Sequence, residues 1–165
     1  MFQCASSVRR LCHPFVADDS TGASSNFVTI EQVAVDQGRI RLAIIAHGLT
    51  EPVSGLAMKL TYPNAFAKFV DCTDGDLFPP GTCHNAEPDD AGAVFIGRSV
   101  TGAGQAVAPD GDRTIVHLEF LVFAEGVDLL VIEGQNLGGG DASALLDANG
   151  DPIFVQWYSG ALVGQ

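Results

Sequence analysis

The 165-residue sequence has few basic residues. Eight Lys and Arg stand against twenty Asp and Glu, which gives a formal net charge of −12. A chain with this charge repels nucleic acids and anionic membranes, because both are bound through clusters of Lys and Arg. The sequence also lacks an apolar run of roughly 20 residues, the length that a membrane-spanning helix requires. The composition therefore argues against nucleic-acid binding and against a helical membrane span.

The motifs of several common enzyme classes are also missing. The sequence has no Gly-x-Ser-x-Gly nucleophile turn, no His-Glu-x-x-His metal motif and no phosphate-binding loop of the Gly-x-x-x-x-Gly-Lys type. Gly138, Gly139 and Gly140 form a glycine run, but no helical pattern of useful length follows it. The sequence therefore predicts a protein that is not an enzyme.

Large polar aromatic side chains are rare, with one Trp and two Tyr in the whole chain. A sugar-binding sandwich stacks its ligand on exposed coplanar rings. Trp157 and Tyr158 are adjacent in the sequence, so on a strand they point to opposite faces and do not form one platform. The sequence therefore favours protein binding over polysaccharide binding, and a carbohydrate-binding module remains an alternative.

The abundant residues are those of a β protein. The chain is 47% hydrophobic and only 17% charged, with 19 Gly and 8 Pro spread along it. Short apolar strands separated by turn residues are typical of a sandwich or barrel. We predict an all-β fold, an antiparallel β-sandwich of about nine strands. The strands are expected near residues 27–35, 38–47, 54–62, 65–71, 93–99, 112–123, 127–134, 143–146 and 153–163.

Hydrophobic alternation predicts which faces of these strands are buried. In the 38–47 strand the even positions from Ile40 to Ala46 are apolar and are predicted to face the core. In the 112–123 strand the same reasoning places Thr114 inside and Arg113 outside. The stretch 127–132 is apolar on both faces, which predicts a central strand covered on both sides.

The first 25 residues differ in texture from the rest. They show no sustained periodicity and end in a run of Asp, Ser, Thr, Gly and Ala that is typical of a linker. We therefore divide the chain into an N-terminal arm or linker, residues 1–25, and a sandwich domain, residues 26–165. An alternative is that the arm docks against a sheet edge, its own or that of a neighbouring molecule, by strand addition.

The four cysteines fall into two pairs that are close in sequence. Cys72 and Cys83 flank a loop rich in Gly, Pro and Asp, a suitable size for a disulfide, and Cys4 and Cys12 could form a second, local bridge. Four cysteines allow three pairings, which the sequence does not distinguish. A Cys72–Cys83 disulfide would indicate an oxidising compartment, so we expect an extracellular or cell-surface protein. No apolar core of a secretory signal is visible in residues 1–16.

Acidic residues cluster in the same loop. Asp71, Asp74 and Asp76 are spaced by two or three residues, and carboxylates at such spacing can supply several of the oxygens that calcium needs. Asp and Gly are equally the ordinary residues of β-turns. A structural calcium ion at this loop is therefore one hypothesis and a simple turn is the other. No other cofactor is expected.

One stretch resembles a known family. An alternating strand over 54–62 ends at Pro63 and Asn64, a second short strand follows at once, and the chain leaves through an acidic turn at Gly75. This order resembles the central motif of cohesins, the β-sandwich modules that hold dockerin-bearing partners on bacterial and archaeal surfaces. The order and spacing of later strands extend the resemblance over residues 26–164. The loop between Cys72 and Cys83 is unlike that of cellulosomal cohesins, so the resemblance is to a non-cellulosomal cohesin.

The resemblance implies a jelly-roll topology and non-catalytic recognition of a dockerin-like partner, whose hallmark is a pair of Asp/Asn-Gly calcium loops. Family members bind through one open sheet face, so we expect the outward residues of the 38–47, 54–62, 93–99 and 112–123 strands to form the partner-binding surface. The predicted contacts are Arg39, Arg41, Ala57, Lys59, Arg98, Arg113, His117 and Glu119. A structural subunit of a filament or surface layer, which self-assembles through the N-terminal arm, is a further alternative.

Overall fold

The computed structural model describes residues 14–100, 106–107, 110–134 and 143–164. Over these residues the fold is all-β, with one short 3-10 helix at Thr82–Asn85. The strands are β1 (Phe15–Ala17), β2 (Phe27–Asp36), β3 (Arg39–His47), β4 (Gly55–Thr61), β5 (Ala67–Asp74), β6 (Glu87–Pro88), β7 (Ala93–Ser99), β8 (Arg113–Val122), β9 (Gly126–Ile132), β10 (Ala144–Leu146), β11 (Pro152–Ile153), β12 (Gln156–Trp157) and β13 (Gly160–Gly164).

The strands form two sheets that pack as a sandwich. An eight-stranded sheet has the order β1-β13-β9-β4-β10-β11. Off this path, β7 also pairs with β4, and β6 pairs with β7. A five-stranded sheet has the order β12-β2-β3-β8-β5. All the strand pairs are antiparallel except β12 with β2. The predicted antiparallel sandwich with jelly-roll topology is confirmed, and the strands missed from the sequence are two or three residues long.

The core lies between the inward faces of the two sheets. In β3, Ile40, Leu42 and Ile44 are at most 1% exposed, as the alternation predicts. Leu56 and Leu60 of β4, which belongs to the opposite sheet, are buried as well. Removing these side chains from water supplies the main driving force for folding. The same alternation sends the odd residues of both strands to the outside of the sandwich.

A β-bulge in β8 corrects the predicted orientation of its first residues. Val116 pairs with Ile44 and Thr114 pairs with Ile45, so Ile115 is an extra residue between them. A bulge reverses the alternation on one side of the extra residue. Thr114 therefore shares the outward face with Ile45, whereas Arg113 lies in register with the buried Ala46. The sequence alone predicted the opposite for both residues.

Part of the N-terminal arm belongs to the sandwich. Phe15–Ala17 forms β1 and pairs antiparallel with β13. Phe15 is only 5% exposed, and its ring lies so close to Gly160 that a Cβ there would be 2.3 Å from Cζ of the phenylalanine. Gly160 is therefore needed to admit this ring. The sandwich begins before residue 26, since an apolar side chain upstream of the linker-like run fills a place in the core.

Candidate partner-binding surface

The structure divides the predicted contact residues between the two sides of the sandwich. Arg39, Arg41, His117 and Glu119 lie on the outward face of the five-stranded sheet, whereas Ala57 and Lys59 lie on the outward face of the eight-stranded sheet. The single surface predicted across four strands is therefore wrong, because β3 and β8 belong to one sheet and β4 and β7 to the other. Two separate faces have to be considered.

Arg98 and Arg113 lie on neither outward face. Arg98 is in register with the buried Leu56, and its guanidinium donates to the carbonyls of Pro79 and Pro80 at 3.4 and 3.2 Å. Arg113 lies 3.7 Å from a carboxylate oxygen of Asp76 and is half-buried. Both arginines therefore hold loops at the ends of the sandwich. The prediction that they are outward-facing contact residues is wrong.

On the outer face of the five-stranded sheet, several polar groups bind one another. The Arg39 guanidinium forms an ion pair with Glu119, and Arg41 donates to the Thr73 hydroxyl at 3.0 Å. His47 lies 3.1 Å from an Asp112 carboxylate oxygen and 2.8 Å from the Thr29 hydroxyl. Groups that already have partners gain little from a new interface, since they must first be desolvated.

His117 lies beside Arg41 in a shallow depression of this face. Burial, and to a lesser degree the Arg41 guanidinium, lower the pKa of the His117 imidazole below its ordinary value of 6.5, while Asp76 acts in the opposite direction. The folded protein therefore takes up this proton less readily than the unfolded chain, and the free energy of unfolding falls as the pH drops below the unfolded pKa.

Between about pH 8 and about pH 5, we expect the melting temperature to fall less for the variant His117→Gln than for the wild type. Glutamine does not take up a proton in this range, so unfolding of the variant is not favoured by proton uptake at this position. Thermal melts of both proteins across this range measure the difference. Equal slopes for the two proteins would show that His117 does not contribute to the pH dependence.

The carboxylates of the calcium hypothesis are directed to different backbone groups. Asp74 accepts hydrogen bonds from the N–H groups of Gly81 and Cys83, at 2.5 and 2.8 Å. Asp76 accepts one from the Thr114 N–H at 2.7 Å, and Asp71 accepts one from the amide of the next residue. In the described residues, no three side chains of the metal-binding types are arranged to hold an ion. These hydrogen bonds are those of an acidic turn, and a calcium ion at this loop stays a prediction.

The Cys72–Cys83 disulfide is confirmed. Its two Cα atoms are 5.5 Å apart, and it ties β5 to the short 3-10 helix. Cys4 and Cys12 lie outside the described residues. No helix in the described parts of the chain is both long and apolar enough to cross a membrane.

The outer face of the eight-stranded sheet carries exposed apolar side chains. Val127 and Leu129 of β9 are 71% and 61% exposed, and Val16 of β1 is 55% exposed. The register aligns Val16 with Ala161 of β13 and aligns Ala161 with Leu129, so these three residues form a row across three strands. The prediction that this strand is covered on both sides is therefore wrong, because its outer face is open.

This apolar surface extends to β4 and β7. Phe95 is 44% exposed and lies in register with Lys59. The Lys59 ammonium is 2.9 Å from a Glu133 carboxylate oxygen and 5.8 Å from the centre of the Phe95 ring. Ala57 lies opposite Gly97 and leaves the surface flat there. We call this surface the β9 face, defined by Val16, Ala57, Lys59, Phe95, Val127, Leu129, Val131 and Ala161.

Trp157 and Tyr158 do not form a shared sugar-binding platform. Trp157 packs against Gly134, and its indole nitrogen is buried. Tyr158 contacts Phe27 edge to face, with ring centres 6.1 Å apart. Rings used in this way do not offer a flat surface for stacking a sugar.

Neither a protein-family model nor a curated protein sequence matches this chain. Among solved structures it is similar to a type II cohesin domain from the cellulosome of Acetivibrio cellulolyticus, with 18% identity, a TM-score of 0.65 and coverage of 84% of this chain and 94% of that one. It is also similar to the sixth cohesin of scaffoldin B from the same organism, solved in complex with the Cel5 dockerin (14% identity, TM-score 0.67, coverage 86% and 100%).

A non-cellulosomal cohesin from the archaeon Archaeoglobus fulgidus is similar as well, with 15% identity, a TM-score of 0.57 and coverage of 83% of this chain and 89% of that one. The fold is therefore that of a cohesin domain, as the strand order in the sequence predicted. Phe95, Val127, Leu129 and Val16 belong to the β9 face and were not among the contact residues predicted from the sequence. The signal that could have found Val127 and Leu129 is the two-sided apolar pattern of β9.

Proposed function

We propose that this chain is a non-catalytic recognition module at the cell surface, which binds a dockerin-like partner protein through the β9 face. The observation that carries the proposal is the exposure of Val127 and Leu129 in the middle of a sheet. A cohesin of the same fold has been solved with a dockerin bound, which supports the class of partner.

The β9 face has the composition of an interface centre. Protein interfaces combine an apolar, well-packed centre with a polar rim, and monomeric proteins rarely expose large continuous apolar patches. Burying apolar surface contributes roughly 25 cal/mol per Å². The Lys59–Glu133 ion pair, with both side chains 30% exposed, places charged groups beside the apolar side chains of this face.

The disulfide of the chain is consistent with the proposed extracellular location. The Cys72–Cys83 disulfide is of the kind that persists in oxidising compartments. In this proposal the calcium dependence of binding belongs to the partner, because the acidic loop of this chain already uses its carboxylates to bind backbone N–H groups.

A capture experiment tests the function. The immobilised full chain is incubated with the secreted and surface proteins of the source organism, once with calcium and once with EDTA. We expect it to retain a protein that carries duplicated Asp/Asn-Gly calcium loops and to release it in EDTA. Retention of a second copy only would favour the filament subunit, and retention of a polysaccharide only would favour the carbohydrate-binding module.

A further inference from the structure

The sheets end in several edge strands, and most of these are protected against pairing with another chain. β1, β6, β11 and β12 are only two or three residues long. β5 is longer, but it carries Lys68. Short length and lysines are devices by which natural sheets block their edges. Among the long edge strands that the structure describes, β2 has the most exposed apolar side chains, Val33 and Val35.

The outer edge of β2 is open over most of its length. β12 pairs only with Phe27 and Val28, and in the described part of the chain no strand pairs with the same edge beyond them. Residues 31–36 are all exposed, including Val33 at 53% and Val35 at 48%. Exposed β-branched residues on an open edge are typical of a site for strand addition.

The backbone of β2 presents hydrogen-bonding groups to this edge. The Val28 carbonyl already accepts a hydrogen bond from the Tyr158 N–H at 2.8 Å, on the side away from β3. At the other end, the two-residue turn of the β2–β3 hairpin pairs Asp36 with Arg39. In such a hairpin the residue before the closing pair directs its N–H and C=O outward. The backbone of Val35 is therefore available to an added strand.

We infer that the open edge of β2, residues 31–36, binds an extended basic peptide segment of another protein by adding it to the five-stranded sheet. Glu31 and Asp36 place exposed carboxylates at the two ends of this edge, and the chain as a whole carries a formal charge of −12. Lysine or arginine side chains of an added strand meet these carboxylates. The site lies on the other sheet from the β9 face and does not depend on the proposed function.

A second copy of this chain is a poor occupant of the edge. Antiparallel pairing of two β2 strands about an axis between Val33 and Ala34 brings Glu31 of each copy opposite Asp36 of the other. Like charges directly opposite each other destabilise a strand pair. In this pairing the bulged Val33 of one copy also lies beside that of the other, so two irregular strands have to match, whereas an added regular strand meets a single bulge.

The test uses a short synthetic peptide of alternating valine and lysine, with a matched peptide in which glutamate replaces lysine. Binding to the full chain is followed by fluorescence anisotropy, and hydrogen exchange of the Val35 amide is measured with and without peptide. We expect the lysine peptide to bind and to protect this amide. Val35→Pro removes an N–H that the fold itself does not use. We expect this variant to bind the lysine peptide about tenfold more weakly than the wild type. Val35→Thr keeps the N–H and should bind as the wild type does.

Thermal melts establish that each variant is folded. If Val35→Pro does not fold, the variant Glu31→Lys/Asp36→Lys replaces it, and it should prefer the glutamate peptide. Equal binding of both peptides to the wild type, or an unprotected Val35 amide in the complex, would overturn the inference. Concentration-dependent dimerisation that Val35→Pro abolishes would also overturn it, in favour of a second copy.

Discussion

Replacement of Leu129 by Asp is expected to weaken partner binding by about a hundredfold or more, while the melting temperature stays close to that of the wild type. Leu129 is 61% exposed, so an aspartate at this position remains hydrated in the free module. In the complex the carboxylate has to lose water at the apolar centre of the β9 face, which costs several kcal/mol when no partner group is provided. Each 1.4 kcal/mol corresponds to about tenfold in affinity.

Two matched variants make this result specific to one face. Val33→Asp introduces the same charge at a valine that is 53% exposed on the other sheet, and we expect it to leave affinity for the dockerin-like partner unchanged. Arg41→Glu reverses a charge on the outer face of the five-stranded sheet, where the sequence predicted part of the contact surface. Calorimetric titration of each variant with the captured partner measures the affinities. Loss of binding in Arg41→Glu, with Leu129→Asp unaffected, would move the interface to the five-stranded sheet.

β9 shows both what the sequence determines and what it leaves open. The alternation in β3 is read correctly because Arg39, Arg41 and His47 all stand at odd positions, so only the face with the even positions is apolar throughout. In β9 both faces are apolar, and the sequence predicts cover on both sides. The structure covers the inward face, with Leu130 and Ile132 buried, and leaves Val127 and Leu129 exposed. Whether a neighbouring element of the same chain covers an apolar face depends on tertiary packing, which periodicity does not describe.

The predicted contact surface failed for a different reason. Alternation within a strand does not show which sheet the strand joins, so Lys59 and Arg41 were assigned to one face although they lie on opposite sides of the sandwich. Register matters at strand ends as well. The bulge at Ile115 exchanged the orientations of Arg113 and Thr114, and a bulge is defined by pairing with another strand, which a single sequence does not contain.

Removal of the Cys72–Cys83 disulfide is expected to lower the free energy of unfolding by about 2–3 kcal/mol. The two cysteines are eleven residues apart, and without the cross-link the unfolded chain gains the conformational entropy that closing this loop removes. For a domain of this size the melting temperature should fall by about 4–12 °C. The loop contributes to the core through Leu77 and Phe78, which are 1% and 4% exposed. Its loosening therefore also affects packing between the two sheets.

Urea and thermal unfolding of the variant Cys72→Ala/Cys83→Ala measure this loss, and Cys4→Ala/Cys12→Ala is the matched control. Reductant should destabilise the control variant strongly, because it retains the bridge between β5 and the 3-10 helix, whereas the first variant loses that response. Leu77 and Phe78 anchor the loop in both proteins, so the difference between them reports the cross-link itself. If Cys72→Ala/Cys83→Ala unfolds at the same urea concentration as the wild type, those two buried side chains hold the loop without help from the disulfide.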